Sequence, residues 1–267
     1  MKSNLSKVII HYPEANFDTK GDLVDSIILK IKSDGNLDYS GYQDEETLKE
    51  GLLTYIGNGD IKSYKQATDE HIELIKEYIE KTIEKCNQHL PVPTENLIYV
   101  HPYLPTDDDK VFEGVMAVAV YSCVFHLFID PETFTQESLE DTVAHELNHT
   151  IYYYHHYDDF GNYSLLDNML LEGLAENFKE EFFRSQRTAW AGALKKEETL
   201  EFLKDLDNDL LLSTDQKIIQ NFLFGNSQYK KWSGYSLGYW IVKEYISHNP
   251  NKSWDEIMKT QREEFLK

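Results

Sequence analysis

Apolar positions recur every three or four residues along most of this chain, except in a central stretch where they run together. Leu23, Ile27, Ile28 and Ile31 predict one amphipathic helix over 21–33, and 44–55 reads as a second, ended by Gly57-Asn58-Gly59. Thr68-Asp69-Glu70-His71 opens a third, whose apolar face runs through Ile72, Ile75, Ile79 and Ile83 until Pro91 and Pro93 stop it. Residues 1 to about 90 therefore read as mostly helical. Next, 97–100 reads as a short strand, and 114–121 and 124–129 as two strands rich in β-branched and aromatic residues, joined through Ser122-Cys123. The small Ala117 and Ala119 make the first of these a candidate edge strand, open to an extended peptide through its main chain; an ordinary core strand is the other reading. His126, inside a strand, reads as structural.

The helical period then resumes. Ser138, with a carboxylate three residues on at Asp141, predicts an N-cap, and no Gly or Pro interrupts the chain until about 157. Leu139, Val143, Leu147 and Ile151 form its buried stripe. A polar turn at Asp158-Asp159-Phe160-Gly161-Asn162 leads to helices over about 165–185, 196–208, 214–224, 234–248 and 253–266. There is no internal repeat, low-complexity tract or flexible linker. The pattern is that of an α+β fold in three segments. Residues 1–92 form a helical N-terminal region, 93–160 a small, mainly antiparallel sheet packed on a helix, and 161–267 a helical C-terminal lobe.

Composition narrows the partners. Forty-seven acidic residues against 26 Lys and Arg give a net charge of -21, which excludes nucleic acid and an anionic membrane surface as partners. That charge permits steering of basic peptides, although a solvated acidic surface is the simpler reading. No run approaches the roughly 18 apolar residues of a membrane span. The first twelve residues hold only Val8-Ile9-Ile10 as an apolar run, with no small-residue cleavage site, so no signal peptide is expected. Two cysteines, Cys86 and Cys123, make no disulfide framework, and a reducing cytoplasm is the expected compartment. Asp34-Gly35-Asn36-Leu37-Asp38 invites a calcium-loop reading, which Tyr39 rejects by standing where the loop's sharp turn needs Gly.

The chemistry concentrates in Val143-Ala144-His145-Glu146-Leu147-Asn148-His149-Thr150. On a helix the two imidazoles of His-Glu-x-x-His sit at i and i+4, about 40° apart, and can grip one metal ion together. Glu146 lies about 100° round from His145, placed to reach a water on the metal without itself being a ligand. A catalytic zinc takes three protein ligands, so a third is needed. His155 stands six residues after His149, but Tyr152 occupies the place where related motifs carry a helix-breaking Gly, and an unbroken helix sends His155 about 120° away. Glu172 is the better candidate. With 22 residues between it and His149 the chain can turn and return antiparallel, and Gly173 and Ala175 are small enough to let helices approach closely. Glu176, one turn on, is suited to accept the outer N–H of a ligating imidazole.

A His-Glu-x-x-His helix followed by Leu171-Glu172-Gly173-Leu174-Ala175-Glu176 resembles the gluzincin clan of zinc metallopeptidases. With Gly234-Tyr235-Ser236-Leu237-Gly238-Tyr239 added, it resembles the bacterial YjaZ-like family of predicted Zn-dependent proteases, over residues 95–250 or so. The resemblance implies a zincin-like scaffold and one Zn2+ ion held by His145, His149 and Glu172. It further implies Glu146 as general base and a peptide or protein substrate. A tetrahedral oxyanion needs a second donor, for which Tyr235 and Tyr239 are the candidates, Tyr235 first because it starts its helix. The competing reading is a catalytically silent zinc-binding or peptide-binding regulatory protein on the same scaffold.

Overall fold

The computed structural model describes residues 5–14, 16–33, 41–156, 162–183 and 187–267. The rejected calcium loop at 34–38 and all of the polar turn at 158–162 except Asn162 lie outside them. The chain divides into two compact units: Met1–Gln88 with Val92–Thr150, and His89–Pro91 with Ile151–Lys267.

The first unit is built on a four-stranded sheet, β1 (Ser6–Ile10), β2 (Asn96–Pro102), β3 (Val115–Tyr121) and β4 (Val124–Ile129), in the order β1-β2-β4-β3. The sheet is mixed, which corrects the expectation of a mainly antiparallel one: β1 and β2, and β2 and β4, are parallel, and only β3 runs against β4. The hairpin was readable because its turn is local; within it Cys123 takes the left-handed conformation (φ 65°). Neither parallel pairing is local, since β2 is reached from β1 only after the helices α1 (Lys20–Ser33), α2 (Glu45–Tyr55) and α3 (Asp69–His89). Helices α1, α2 and α3 make up most of the first ninety residues as read, and β1 adds a strand that this reading did not include. Its five residues carry no alternation strong enough to announce a strand.

Side chains alternate across the sheet, and the helices divide accordingly. Leu23, Val24, Ile27, Ile28 and Ile31 of α1 and Leu48 and Leu52 of α2 form one apolar cluster with Phe128 of β4, with Met116 and Val118 of β3 packed against it. Ala117 and Ala119 therefore point to the opposite face, as do the fully buried Phe125, Leu127 and Ile129. Helix α4 (Gln136–His155) belongs to the first unit as far as Thr150. The Ser138 hydroxyl donates to the Glu113 carbonyl just before β3 (3.1 Å), and Thr150 donates to Asn96 Oδ1 at the start of β2 (3.2 Å). The stripe Leu139, Val143, Leu147 and Ile151 is buried as its spacing predicted. The cap is one turn earlier than predicted. Thr135 and Ser138 exchange side-chain-to-amide bonds of 3.0 Å each, which lets α4 begin at Gln136 and puts Ser138 inside its first turn.

The second unit is helical: α5 (Leu165–Phe182), α6 (Lys196–Asp205), α7 (Asn208–Leu211), α8 (Gln216–Phe224), α9 (Ser233–His248) and α10 (Trp254–Met258). The single helix expected over 253–266 breaks after Met258 and resumes as a short 3-10 turn. Helices α5 and α9 meet almost backbone to backbone. A Cβ on Gly173 would stand 2.2 Å from the Gly238 carbonyl oxygen, and one on Gly238 1.7 Å from that of Met169. Asn177 ties the pair, its Nδ2 donating to the carbonyls of Gly173 (2.8 Å) and Tyr239 (2.9 Å). Gly173 of the Glu-Gly-Leu-Ala-Glu stretch thus serves α9.

Candidate metal centre

Because His145 and His149 are one turn apart on an uninterrupted helix, their rings converge, with centroids 4.4 Å apart at 77°. A ligand atom from each ring and a carboxylate oxygen of Glu146 all lie within 4.8 Å of one another. His145 is half-buried, while Glu146 and His149 are each 6% exposed. Two imidazoles and a carboxylate are a donor set that zinc accepts, in a setting dry enough to strengthen charge interactions yet open at His145. Among the described residues no other group of three His, Cys, Asp or Glu side chains converges in this way. Cys86 is buried on α3 and Cys123 sits in the β3–β4 turn, both as free thiols and neither in the cluster.

Two neighbours of this centre carried no signal in the sequence reading. Asn148, between the histidines, is 1% exposed, and neither of its amide atoms has a hydrogen-bond partner among the described residues. Tyr55, the last residue of α2, packs on Phe128 with centroids 5.8 Å apart and the rings tilted by 31°. Burial raises its phenol pKa, and the negative charge of Glu146 raises it further.

The other candidates lie in the second unit. Glu172 is half-buried on α5. Glu176 is 3% exposed and accepts from Lys179 Nζ (2.9 Å), Trp190 Nε1 (2.8 Å) and Thr188 Oγ1 (2.6 Å), which pins the chain around 188–190 to α5. His155 ends α4 half-buried against Tyr154; burial lowers its pKa, and Lys259 lowers it further. Tyr235 is half-buried, edge-on to Phe224 at 6.4 Å. The fully buried Tyr239 donates to Glu180 and accepts from Arg187 Nη2 (3.1 Å), with the guanidinium 4.3 Å above its ring. Its hydroxyl is committed within the second unit. No helix among the described residues is long and apolar enough to cross a membrane.

A family model described as a predicted Zn-dependent protease (DUF2268) matches residues 73–267. Two proteins of Bacillus subtilis (strain 168) are similar to this chain. The uncharacterized protein YjfC is 28% identical over 137 residues, covering 46% of this chain and 45% of YjfC. The uncharacterized protein YjaZ is 30% identical over 122 residues, covering 45% of this chain and 47% of YjaZ. The chain thus spans about half the length of the curated relatives it matches. No solved structure matches it.

Proposed function

The chain belongs to the family of predicted Zn-dependent proteases (DUF2268), and from that premise we propose that it hydrolyses peptide bonds with the help of one zinc ion held by His145, His149 and Glu172. The observation that carries the reading is the convergence of His145, Glu146 and His149 on one turn of α4. A structural zinc is generally closed by four ligands rich in cysteine, whereas here both thiols stand apart from the cluster. When bound, zinc supplies Lewis acidity that polarises a carbonyl and makes water a nucleophile near neutral pH. Glu146 then takes the proton of the attacking water and delivers it to the departing amine. Tyr235 is the donor we assign to the oxyanion, since the Tyr239 hydroxyl already serves Glu180 and Arg187. Strand β3 ends the sheet in the same unit as the cluster, and its open edge offers main-chain hydrogen bonds to an extended peptide. On this reading the scaffold is zincin-like, the metal site is of the gluzincin type, and the free cysteines suit a reducing cytoplasm.

The test is zinc content together with digestion of a broad peptide library, wild type beside Glu146→Gln. One zinc in both proteins and cleavage by the wild type alone are expected. Equal cleavage by the two would remove Glu146 as base, a zinc-loaded wild type that cuts nothing would favour the silent binding protein, and absence of zinc would end the metal reading.

A further inference from the structure

Away from the metal cluster, three histidines lie in the interior of the first unit, each 0% exposed: His11 just after β1, His101 on β2 and His126 on β4. They stack side by side, with ring centroids 5.2 Å apart between His11 and His101 and 5.1 Å between His101 and His126. His101 Nε2 and His126 Nδ1 are 2.9 Å apart, a bond in which one ring must donate and the other accept. The stack also touches what fastens α1 and α2 to the sheet. Tyr42, just before α2, meets His126 edge-on at 5.4 Å, and His101 packs on Phe128 at 5.3 Å, with both partners in the α1–α2 cluster.

We propose that this stack is an acid latch, which holds the α1–α2 layer against the sheet only while its rings are neutral. Among the described residues, the titratable groups facing it include Tyr99 on β2, stacked on His11 (5.8 Å) and His126 (5.2 Å), Tyr42 before α2, and Tyr55 of α2 beyond Phe128. Tyr12, next to His11, donates its hydroxyl to the Ile129 carbonyl and feels Asp130, and Lys7, on the same face of β1 by alternation, is exposed. Burial holds His101 neutral far below the usual histidine range, and the charges that His126 and His11 would carry push in the same direction. For a ring with a depressed folded-state pKa the sign is fixed. Stability is complete above the ordinary value near 6.5 and is lost as pH falls below it, because the opened chain takes up the proton that the closed one refuses.

The test is amide hydrogen exchange of α1 and α2 between pH 7 and pH 5, corrected for intrinsic exchange chemistry, in wild type and His101→Phe. Each ring that must stay neutral makes opening about 25-fold more favourable over that interval, from the ordinary histidine pKa and the linkage relation. The wild type should gain at least that factor, and His101→Phe should lose about 25-fold of it. An unchanged pH response in the variant overturns the latch. Ring 15N shifts of the wild type at pH 5.5 give a second reading that needs no variant: a neutral His101 supports the proposal, and a charged His101 in the folded protein refutes it.

Discussion

Gly238→Ala is the sharpest test of how the second unit is packed. A Cβ at that position would lie 1.7 Å from the Met169 carbonyl oxygen and 2.6 Å from its carbon, where real Cβ atoms essentially never come within 3.0 Å. Both offending atoms are backbone, so α5 and α9 must part by more than an ångström. Overpacking of this kind costs about 1–3 kcal/mol, and the upper end applies because no side chain can swing away. Stretching the Asn177 bonds to Gly173 and Tyr239 adds about 1 kcal/mol. Against this, Ala is the better helix former by about 1 kcal/mol. The net expectation is a loss of about 3 kcal/mol, or roughly 10 °C in Tm for a unit of this size. Urea unfolding followed by tryptophan fluorescence reads it directly, because Trp190, Trp232, Trp240 and Trp254 all belong to the second unit. Gly21→Ala in α1 is the control: its nearest neighbour would be Thr19 Oγ1 at 3.5 Å, and the same exchange there should be neutral or stabilise by up to about 1 kcal/mol. A Gly238→Ala protein as stable as the wild type would refute the close crossing of α5 and α9.

Three further outcomes are expected. Lys179→Met leaves the Glu176 carboxylate buried without the ammonium 2.9 Å away and should destabilise the second unit by about 3–5 kcal/mol in urea unfolding, much of which the double variant with Glu176→Gln should recover. Glu172→Ala should sharply lower zinc content measured by atomic absorption; full zinc there, with loss in His155→Ala, would transfer the ligand to His155. Asn148→Leu removes two buried polar atoms without partners among the described residues and should leave stability unchanged or raise it by about 1 kcal/mol, and a loss of 2 kcal/mol or more would mean that the amide is satisfied in solution.

What the sequence disclosed about the fold follows the range of the interactions that decide it. The helices with a clear apolar period, α1, α2, α3 and α9, begin and end within a few residues of their expected limits, because caps and stops act over one turn. The β3–β4 hairpin was legible for the same reason. The parallel pairing of β1 with β2 joins residues some ninety positions apart, Ser6 to Asn96, and nothing local in five short residues announces it. The N-cap of α4 was displaced because Ser138 satisfies the capping pattern as well as Thr135 does, and only the reciprocal pair of bonds distinguishes them.

The same argument divides the site. His145, Glu146 and His149 lie within five residues of one helix, so their convergence follows from helical geometry once α4 is a helix. Assigning Glu172 required guessing a tertiary return, and one of the two small residues offered as evidence for it, Gly173, turns out to be explained by another contact, its crossing over Gly238. Glycine spacing marks that two backbones approach but does not say which, so the ligand must be argued from its own carboxylate and tested by metal content. The histidine stack shows the converse. His126 reads as structural from its place in a strand, yet its partners come from β2 and from just after β1, and three imidazoles meet because parallel register brings them to a single face. Strand register, which no local pattern encodes, decides whether a histidine is a lone core residue or part of a stacked cluster.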